Sequence, residues 1–104
     1  MKTIALSSDL MDRSRITAAI ADVSFARDVA GCAGADVVIV DLARSAAAVA
    51  ELRRLLPNAR IVAFGPHVDE DAASGARAAG ADAVWPRSRF FRDPSAALDA
   101  GSDS

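Results

Sequence analysis

One unbroken apolar run constrains the fold of this chain more than any other feature of its sequence. It spans Val37 to Val40, contains only β-branched residues, and ends abruptly at Asp41. A strand exposed on one face alternates apolar and polar residues, whereas an unbroken run indicates a strand buried on both faces. Such strands occur in parallel sheets that helices cover on both sides, so an α/β domain is expected around this run.

Further apolar runs predict four more strands, at 3–6, 23–26, 60–64 and 83–85. Helical stretches and short turns lie between them, which favours right-handed crossovers and a parallel sheet. The segment 31–34 leaves room for about one helical turn, and 93–100 for about two. A length of 104 residues suits one domain, 1–104, and the polar residues 101–104 are predicted to form a flexible tail.

Two of the predicted helices have recognisable ends. Asp69 is predicted to cap an alanine-rich helix that Gly80 ends, because glycine accepts the left-handed conformation common after a helix. Ser45 is predicted to cap another helix, whose apolar stripe turns inward and consists of Val49, Leu52, Leu55 and Leu56.

Charge and cysteine content exclude several classes of function. The chain has 14 acidic and 12 basic residues spread along its length, so it offers no basic surface for nucleic acid. No apolar run approaches the roughly 18 residues of a membrane helix, and the first residues turn polar too early for a signal peptide. The lone Cys32 cannot form an internal disulfide and is expected to be a small buried residue. A cytoplasmic protein without nucleic-acid or membrane partners is predicted.

Charged and small residues follow the predicted strands. In an open parallel sheet, reactive groups collect at the carboxyl ends of the strands. The residues at these ends are Ser7, Ser8, Asp9, Asp41, Gly65 and Arg87. Two carboxylates at one edge favour a hard cation such as Mg²⁺, so Asp9 and Asp41 form a weak candidate metal site. An equally acceptable interpretation is that Asp9 caps the first helix and Asp41 turns the chain after its strand.

Other catalytic arrangements have little support. His67 lies just past Gly65, but a lone histidine in a turn is more often an exposed polar residue than a catalytic one. No glycine-rich phosphate loop follows the first strand, and no nucleophile elbow is present. We therefore predict neither an enzyme nor a bound organic cofactor.

In this order, the segments resemble the receiver domains of bacterial response regulators over nearly the whole chain. Residues 37–42 are similar to the strand that carries the phosphoaccepting aspartate, 4–16 to the first strand and helix, and 79–82 to the turn before the last strand. The resemblance implies a flavodoxin-like, three-layer α/β fold. Its five-stranded parallel sheet would have the order 2-1-3-4-5, with shortened second and last helices.

The same resemblance implies roles for five residues. Asp41 falls on the phosphoacceptor and Asp9 on the second metal-binding acid, but Ser8 stands in place of the first acid. Gly65 replaces the usual threonine or serine, and Arg87 replaces the lysine that contacts the phosphoryl group. Ser8 removes a charge, Gly65 offers no hydroxyl, and an arginine is bulkier than a lysine ammonium. The phosphorylation chemistry is thus expected to be incomplete, with at most weak Mg²⁺ binding.

Three functions are compatible with this pattern. The first is an atypical receiver-like signalling module that acts through protein–protein interaction without phosphorylation. The second is a working single-domain response regulator phosphorylated on Asp41. The third is a structural subunit that builds oligomers.

The C-terminal edge is the predicted interaction surface. In the expected strand order Trp85 lies on an edge strand, and Phe90 and Phe91 follow it among arginines. A final helix of about two turns is too short to bury both phenylalanines. At least one of them is therefore expected to contact a protein partner or a second copy of the chain, since aromatic residues and arginines are common in binding hot spots.

Overall fold

A five-stranded parallel sheet forms the centre of the protein. In the computed structural model, which describes residues 2–65 and 70–99, its strands are β1 (Thr3–Leu6), β2 (Ser24–Ala26), β3 (Val37–Asp41), β4 (Arg60–Gly65) and β5 (Ala83–Pro86). Their order is β2-β1-β3-β4-β5, and every neighbouring pair is parallel. The predicted flavodoxin-like topology is confirmed, and β3 is buried at all five of its residues.

Helices cover both faces of the sheet. They are α1 (Leu10–Ala19), α2 (Leu42–Ser45), α3 (Ala48–Leu55), α4 (Glu70–Ala79), α5 (Arg87–Arg92) and α6 (Pro94–Asp99), and a short 3₁₀ helix spans Ala30–Cys32. This 3₁₀ helix lies between β2 and β3, where the sequence analysis expected the shortened second helix. No helix among the described residues is long and apolar enough to cross a membrane. His67, the predicted cap Asp69 and the predicted tail 101–104 lie outside the described residues.

The core has two halves, one on each face of the sheet. Successive residues of a strand point to opposite faces, so Val38 and Val40 join one half and Ile39 the other. The first half packs against α3 and α4 and includes Val49, Leu52, Ile61, Ala63, Ala73, Ala76 and Val84. The second half packs against α1, α5 and α6 and includes Ala5, Ile16, Val62, Phe64, Ala83, Phe90 and Ala97. The predicted three layers follow from this arrangement.

Two predictions about the leucine-rich helix are wrong. Ser45 does not cap it, because a separate short helix, α2, lies between β3 and the leucine-rich helix α3. Asp41 at the end of β3 starts α2 by accepting a hydrogen bond from the Ala43 backbone N–H. Ser45 is instead the last residue of α2, and α3 begins three residues later without a side-chain cap. Leu55 was expected inside but is 44% exposed, since Val49 and Leu52 already fill the inward stripe of this two-turn helix.

One arginine connects the elements at the amino-terminal edge of the sheet. Arg53 of α3 donates hydrogen bonds to the carbonyl oxygens of Ala59 and Gly80, and pairs with the Asp82 carboxylate at 2.8 Å. Gly80 ends α4 with a φ of +127°, as the sequence predicts. A Cβ at Gly80 would lie 2.7 Å from the Arg53 Cβ, so glycine is required both by the backbone and by this contact.

Candidate functional site

The carboxyl ends of the strands bring the predicted site residues to one edge of the sheet. Asp41 is the last residue of β3 and lies beside Phe64 of β4. Gly65 ends β4 and lies beside Pro86, the last residue of β5, with Arg87 directly after it. Asp9 stands at the start of α1, just beyond β1. These are the ends of four adjacent strands, so the predicted convergence is present.

Asp41 is buried at this edge. The residue is only 3% exposed, and its Oδ1 accepts a hydrogen bond of 3.0 Å from the Ala43 backbone N–H. This bond starts α2 immediately after the strand, which is the turn-forming role expected as an alternative to metal binding. A carboxylate held in this way has one oxygen occupied by its own chain.

Asp9 has a similar structural role at the start of α1. Its carboxylate accepts a hydrogen bond of 3.0 Å from the Asp12 backbone N–H and so caps the helix. The pKa of Asp9 lies below its ordinary value, chiefly because of this backbone hydrogen bond. The positive charges of Arg44 and Arg87 lower the pKa further, and desolvation opposes the shift. The neighbouring Ser8 is exposed.

These acids do not assemble a metal cage. Among residues 2–65 and 70–99, no three histidine, cysteine, aspartate or glutamate side chains lie close enough together to hold a metal ion. Asp9 and Asp41 remain as two carboxylates with a serine in place of a third acid. Mg²⁺ is usually bound by one or two carboxylates plus other oxygens, so this pair stays a candidate for the weak Mg²⁺ site that the sequence predicts.

An ion pair that the sequence analysis missed lies at the centre of the site. The guanidinium of Arg87 pairs with the carboxylate of Asp12 through Nη2 and Oδ1. The Asp12 side chain is 2% exposed and that of Arg87 is 34% exposed. The pKa of Arg87 is raised, first by its hydrogen bond to Asp12 and also by the charges of Asp12, Asp41 and Asp9. Arg87 is thus an internal cation among three carboxylates.

Asp12 had a detectable signal in the sequence. It lies four residues before Ile16, which is fully buried, so both residues occupy the same face of α1. An aspartate on a buried helix face needs a cationic partner. The partner, however, is 75 positions away along the chain, and no local pattern identifies it.

An aromatic cluster surrounds the Arg87 side chain. The rings of Phe64 and Phe90 stack at a centroid distance of 4.8 Å, and Phe91 meets Phe64 edge-on at 5.2 Å. The Arg87 guanidinium lies 4.9 Å from the Phe91 ring centroid and 5.7 Å from that of Phe64. Cation–π attraction therefore adds to the ion pair in fixing Arg87.

The predicted interface residues occupy different environments. Phe90 is fully buried and Trp85 is 8% exposed, whereas Phe91 is half-buried. The segment 87–92 is itself the helix α5, so two short helices instead of one cover this part of the sheet. Phe91 also lines a surface cavity of about 440 Å³ together with Arg15 and Arg92. The interface remains a prediction. Of the two phenylalanines, Phe91 is the one with a solvent-accessible side chain that a partner could contact.

Gly65 lies beside an apolar cavity. The cavity has a volume of about 560 Å³ and is lined mainly by alanines of α2, α4 and the link to α3, with Asp71 as its charged residue. Where the receiver pattern has a hydroxyl, position 65 therefore presents only backbone. Gly65 has no side chain, so it cannot donate a side-chain hydrogen bond to a phosphoryl oxygen.

Comparison with known proteins identifies the fold. No family model and no curated protein matches the sequence, but solved structures match the fold. A response regulator from Burkholderia pseudomallei, solved with a phosphorylated aspartic acid and a calcium ion, is 18% identical with a TM-score of 0.80. The match covers 93% of this chain and 65% of that one, so this chain spans slightly less than two thirds of that regulator.

Two further structures match over most of both chains. A response regulator from Thermotoga maritima is 14% identical with a TM-score of 0.75, covering 95% of this chain and 98% of that one. A response-regulator receiver domain from Clostridium thermocellum is 19% identical with a TM-score of 0.77, covering 94% of this chain and 90% of that one. The chain therefore has the fold of response-regulator receiver domains.

Proposed function

We propose that the protein is an atypical receiver-like signalling module that binds a protein partner and does not depend on phosphorylation. The observation that carries this proposal is the ion pair of Arg87 with the buried Asp12, at the edge where Asp9 and Asp41 also lie. In this position the guanidinium supplies, among the acids, positive charge that a metal ion would otherwise supply.

Phosphoryl transfer to Asp41 would face three obstacles. The carboxylate is almost completely buried and already accepts a backbone hydrogen bond, so access for an in-line attack is poor. A phosphoryl group would add further negative charge next to Asp9. Arg87 cannot turn to the phosphoryl group without leaving Asp12 buried and unpaired.

A conformational response would lack its usual contacts. A two-state switch requires contacts that differ between the states, and Gly65 has no hydroxyl to close on a phosphoryl oxygen. Arg87 is held by Asp12 and by the rings of Phe64 and Phe91. These contacts favour one fixed arrangement of this edge.

We place the partner-binding surface around Phe91. The Arg15 guanidinium lies 5.5 Å from the Phe91 ring centroid, and both residues line the same surface cavity with Arg92. An aromatic residue between arginines suits a protein segment that carries apolar and acidic side chains. The partner is either another protein or a second copy of the chain.

The phosphorylation-independent state can be tested by NMR. Amide spectra would be recorded before and after addition of beryllofluoride with Mg²⁺, and intact mass would be measured after treatment with acetyl phosphate. We expect only local shifts near Asp41 and no mass gain of one phosphoryl group. Broad shifts across β4 and β5, or a mass gain that Asp41→Ala abolishes, would instead establish a working response regulator.

Sedimentation tests the partner surface. The wild type, Phe91→Asp and Leu55→Asp would be compared at high protein concentration. Leu55 is an exposed leucine on α3 and serves as the matched control. A dimer lost only in Phe91→Asp supports self-association through this surface. A monomer in all three samples removes the homodimer and leaves another protein as the partner.

A further inference from the structure

A polar cavity, distinct from the two described above, lies at the same edge of the sheet, beside β1 and β2. Its volume is about 550 Å³, which is within the usual range for small-molecule sites. It is separate from the Asp12–Arg87 pair and contains neither residue. Its lining residues are Leu6, Ser7, Ser8, Arg13, Phe25, Ala26, Arg27 and Ser45.

Ser7 provides an unsatisfied polar group in the wall of this cavity. The residue is only 7% exposed, and its Oγ has no hydrogen-bond partner among the described residues. Buried hydroxyl groups are nearly always hydrogen-bonded, because leaving one unpaired costs free energy. A hydroxyl both donates and accepts, so a ligand oxygen within hydrogen-bond reach of Oγ would satisfy it. Ser8 and Ser45 add two more hydroxyls to the lining.

The charge of the cavity is positive. Arg13 and Arg27 line it, no carboxylate does, and neither arginine forms an ion pair within residues 2–65 and 70–99. The Arg13 guanidinium is held 4.7 Å from the ring centroid of Phe25. This local excess of positive charge contrasts with the net charge of −2 for the whole chain.

The acids of the neighbouring site interact with cations outside this cavity. The charges of Arg44 and Arg87 act on Asp9, and the charge of Arg87 also acts on Asp41. Neither acid lines the cavity. The two cavity arginines therefore have no carboxylate in the lining and can attract an anion.

We infer that this cavity binds a small phosphorylated molecule. The phosphate group lies between Arg13, Arg27 and the hydroxyl of Ser7, because guanidinium groups match phosphate oxygens in charge and geometry. The organic part lies against Phe25, the aromatic residue of the cavity lining. No bond is made or broken, so the site is a binding site beside the inactive receiver edge.

Titration with two phosphate compounds tests the inference. Inorganic phosphate and phenyl phosphate would be added separately at constant ionic strength, and amide shifts would be followed by NMR. We expect saturable shifts at Ser7 and at 25–27, with phenyl phosphate binding several-fold more tightly because its ring contacts Phe25. Shifts that stay linear, or that centre on Asp41 and Arg87, overturn the site. Equal affinity for the two compounds overturns the role of Phe25.

Three variants identify the residues responsible. Ser7→Ala and Arg27→Gln should each weaken phenyl phosphate binding by about tenfold, as expected for the loss of one hydrogen bond to a charged group. Arg54→Gln removes the same charge from an exposed position on α3 and should leave the affinity unchanged. If Arg54→Gln weakens binding as much as Arg27→Gln does, the effect is general electrostatics and the site is refuted.

Discussion

Replacing Arg87 by methionine tests the ion pair on which the proposed function depends. Methionine keeps an unbranched apolar stem but removes the guanidinium group and its charge. The variant would leave Asp12, whose side chain is 2% exposed, without its cationic partner. It would also remove the cation–π contacts with Phe64 and Phe91. We therefore expect Arg87→Met to lower the free energy of unfolding markedly.

The magnitude follows from the exposure of the two partners. Removing one member of a fully buried ion pair costs about 3–5 kcal/mol. Arg87 is 34% exposed, so water already solvates part of its charge and the loss is smaller. Including the cation–π contacts, we expect a loss of about 2–3 kcal/mol. For a domain of this size that corresponds to a fall in Tm of roughly 10–20 °C.

A double-mutant cycle measured by urea unfolding separates the pair from other effects. Asp12→Asn, Arg87→Met and the double variant would be compared with the wild type, and Arg54→Met on exposed α3 would serve as control. The double variant should be more stable than the sum of the single losses implies, with a coupling of about 1–3 kcal/mol. A loss below about 1 kcal/mol in Arg87→Met, or additive effects, would refute the reasoning.

Three further predictions follow from the same contacts. Calorimetry should find Mg²⁺ binding weaker than micromolar, since Ser8 stands where the receiver pattern has an acid and Asp12 is already paired with Arg87; a micromolar Kd that Asp41→Ala abolishes would contradict this. Because the pKa of Asp9 is lowered in the folded state, ionised Asp9 stabilises the fold at a pH above its ordinary pKa of 3.8, and this stabilisation is lost as the pH falls through the lowered pKa. Asp9→Asn should therefore reduce the loss of stability between neutral and acid pH, as measured by urea unfolding. Gly80→Ala should cost about 1–3 kcal/mol, because it combines a positive φ with a 2.7 Å contact to Arg53; an unchanged Tm would refute that account.

The sheet could be predicted from the sequence because its signals are local. The β-branched run at 37–40 fixed the central strand, and Gly80 marked the end of α4. The start of α3 could not be predicted correctly, because Ser45 is a good cap by residue type, whereas in the structure it ends α2 and α3 begins without a side-chain cap. The aromatic cluster was predicted only in part, since α5 packs Phe90 inside.

The candidate site was predicted by position but not by contact. Strand ends indicated Asp9, Asp41, Gly65 and Arg87, and these do lie at one edge. The identity of the ion-pair partner of Arg87 depends on tertiary packing, because Asp12 lies in α1, far from Arg87 along the chain. Sequence patterns report which face of an element is buried, but they do not report which buried charges meet.

The Asp12–Arg87 pair also bears on how this protein could diverge or be re-engineered. The receiver pattern that the sequence resembles has an acid at position 8, a hydroxyl at position 65 and a lysine at position 87. A lysine there would still meet the buried Asp12 carboxylate, so Asp12 would have to change as well. Changing Arg87 to an uncharged residue before Asp12 leaves a carboxylate unpaired, and changing Asp12 first leaves a guanidinium without its partner. The two positions are therefore expected to be epistatic, and changing them one at a time is disfavoured by stability alone.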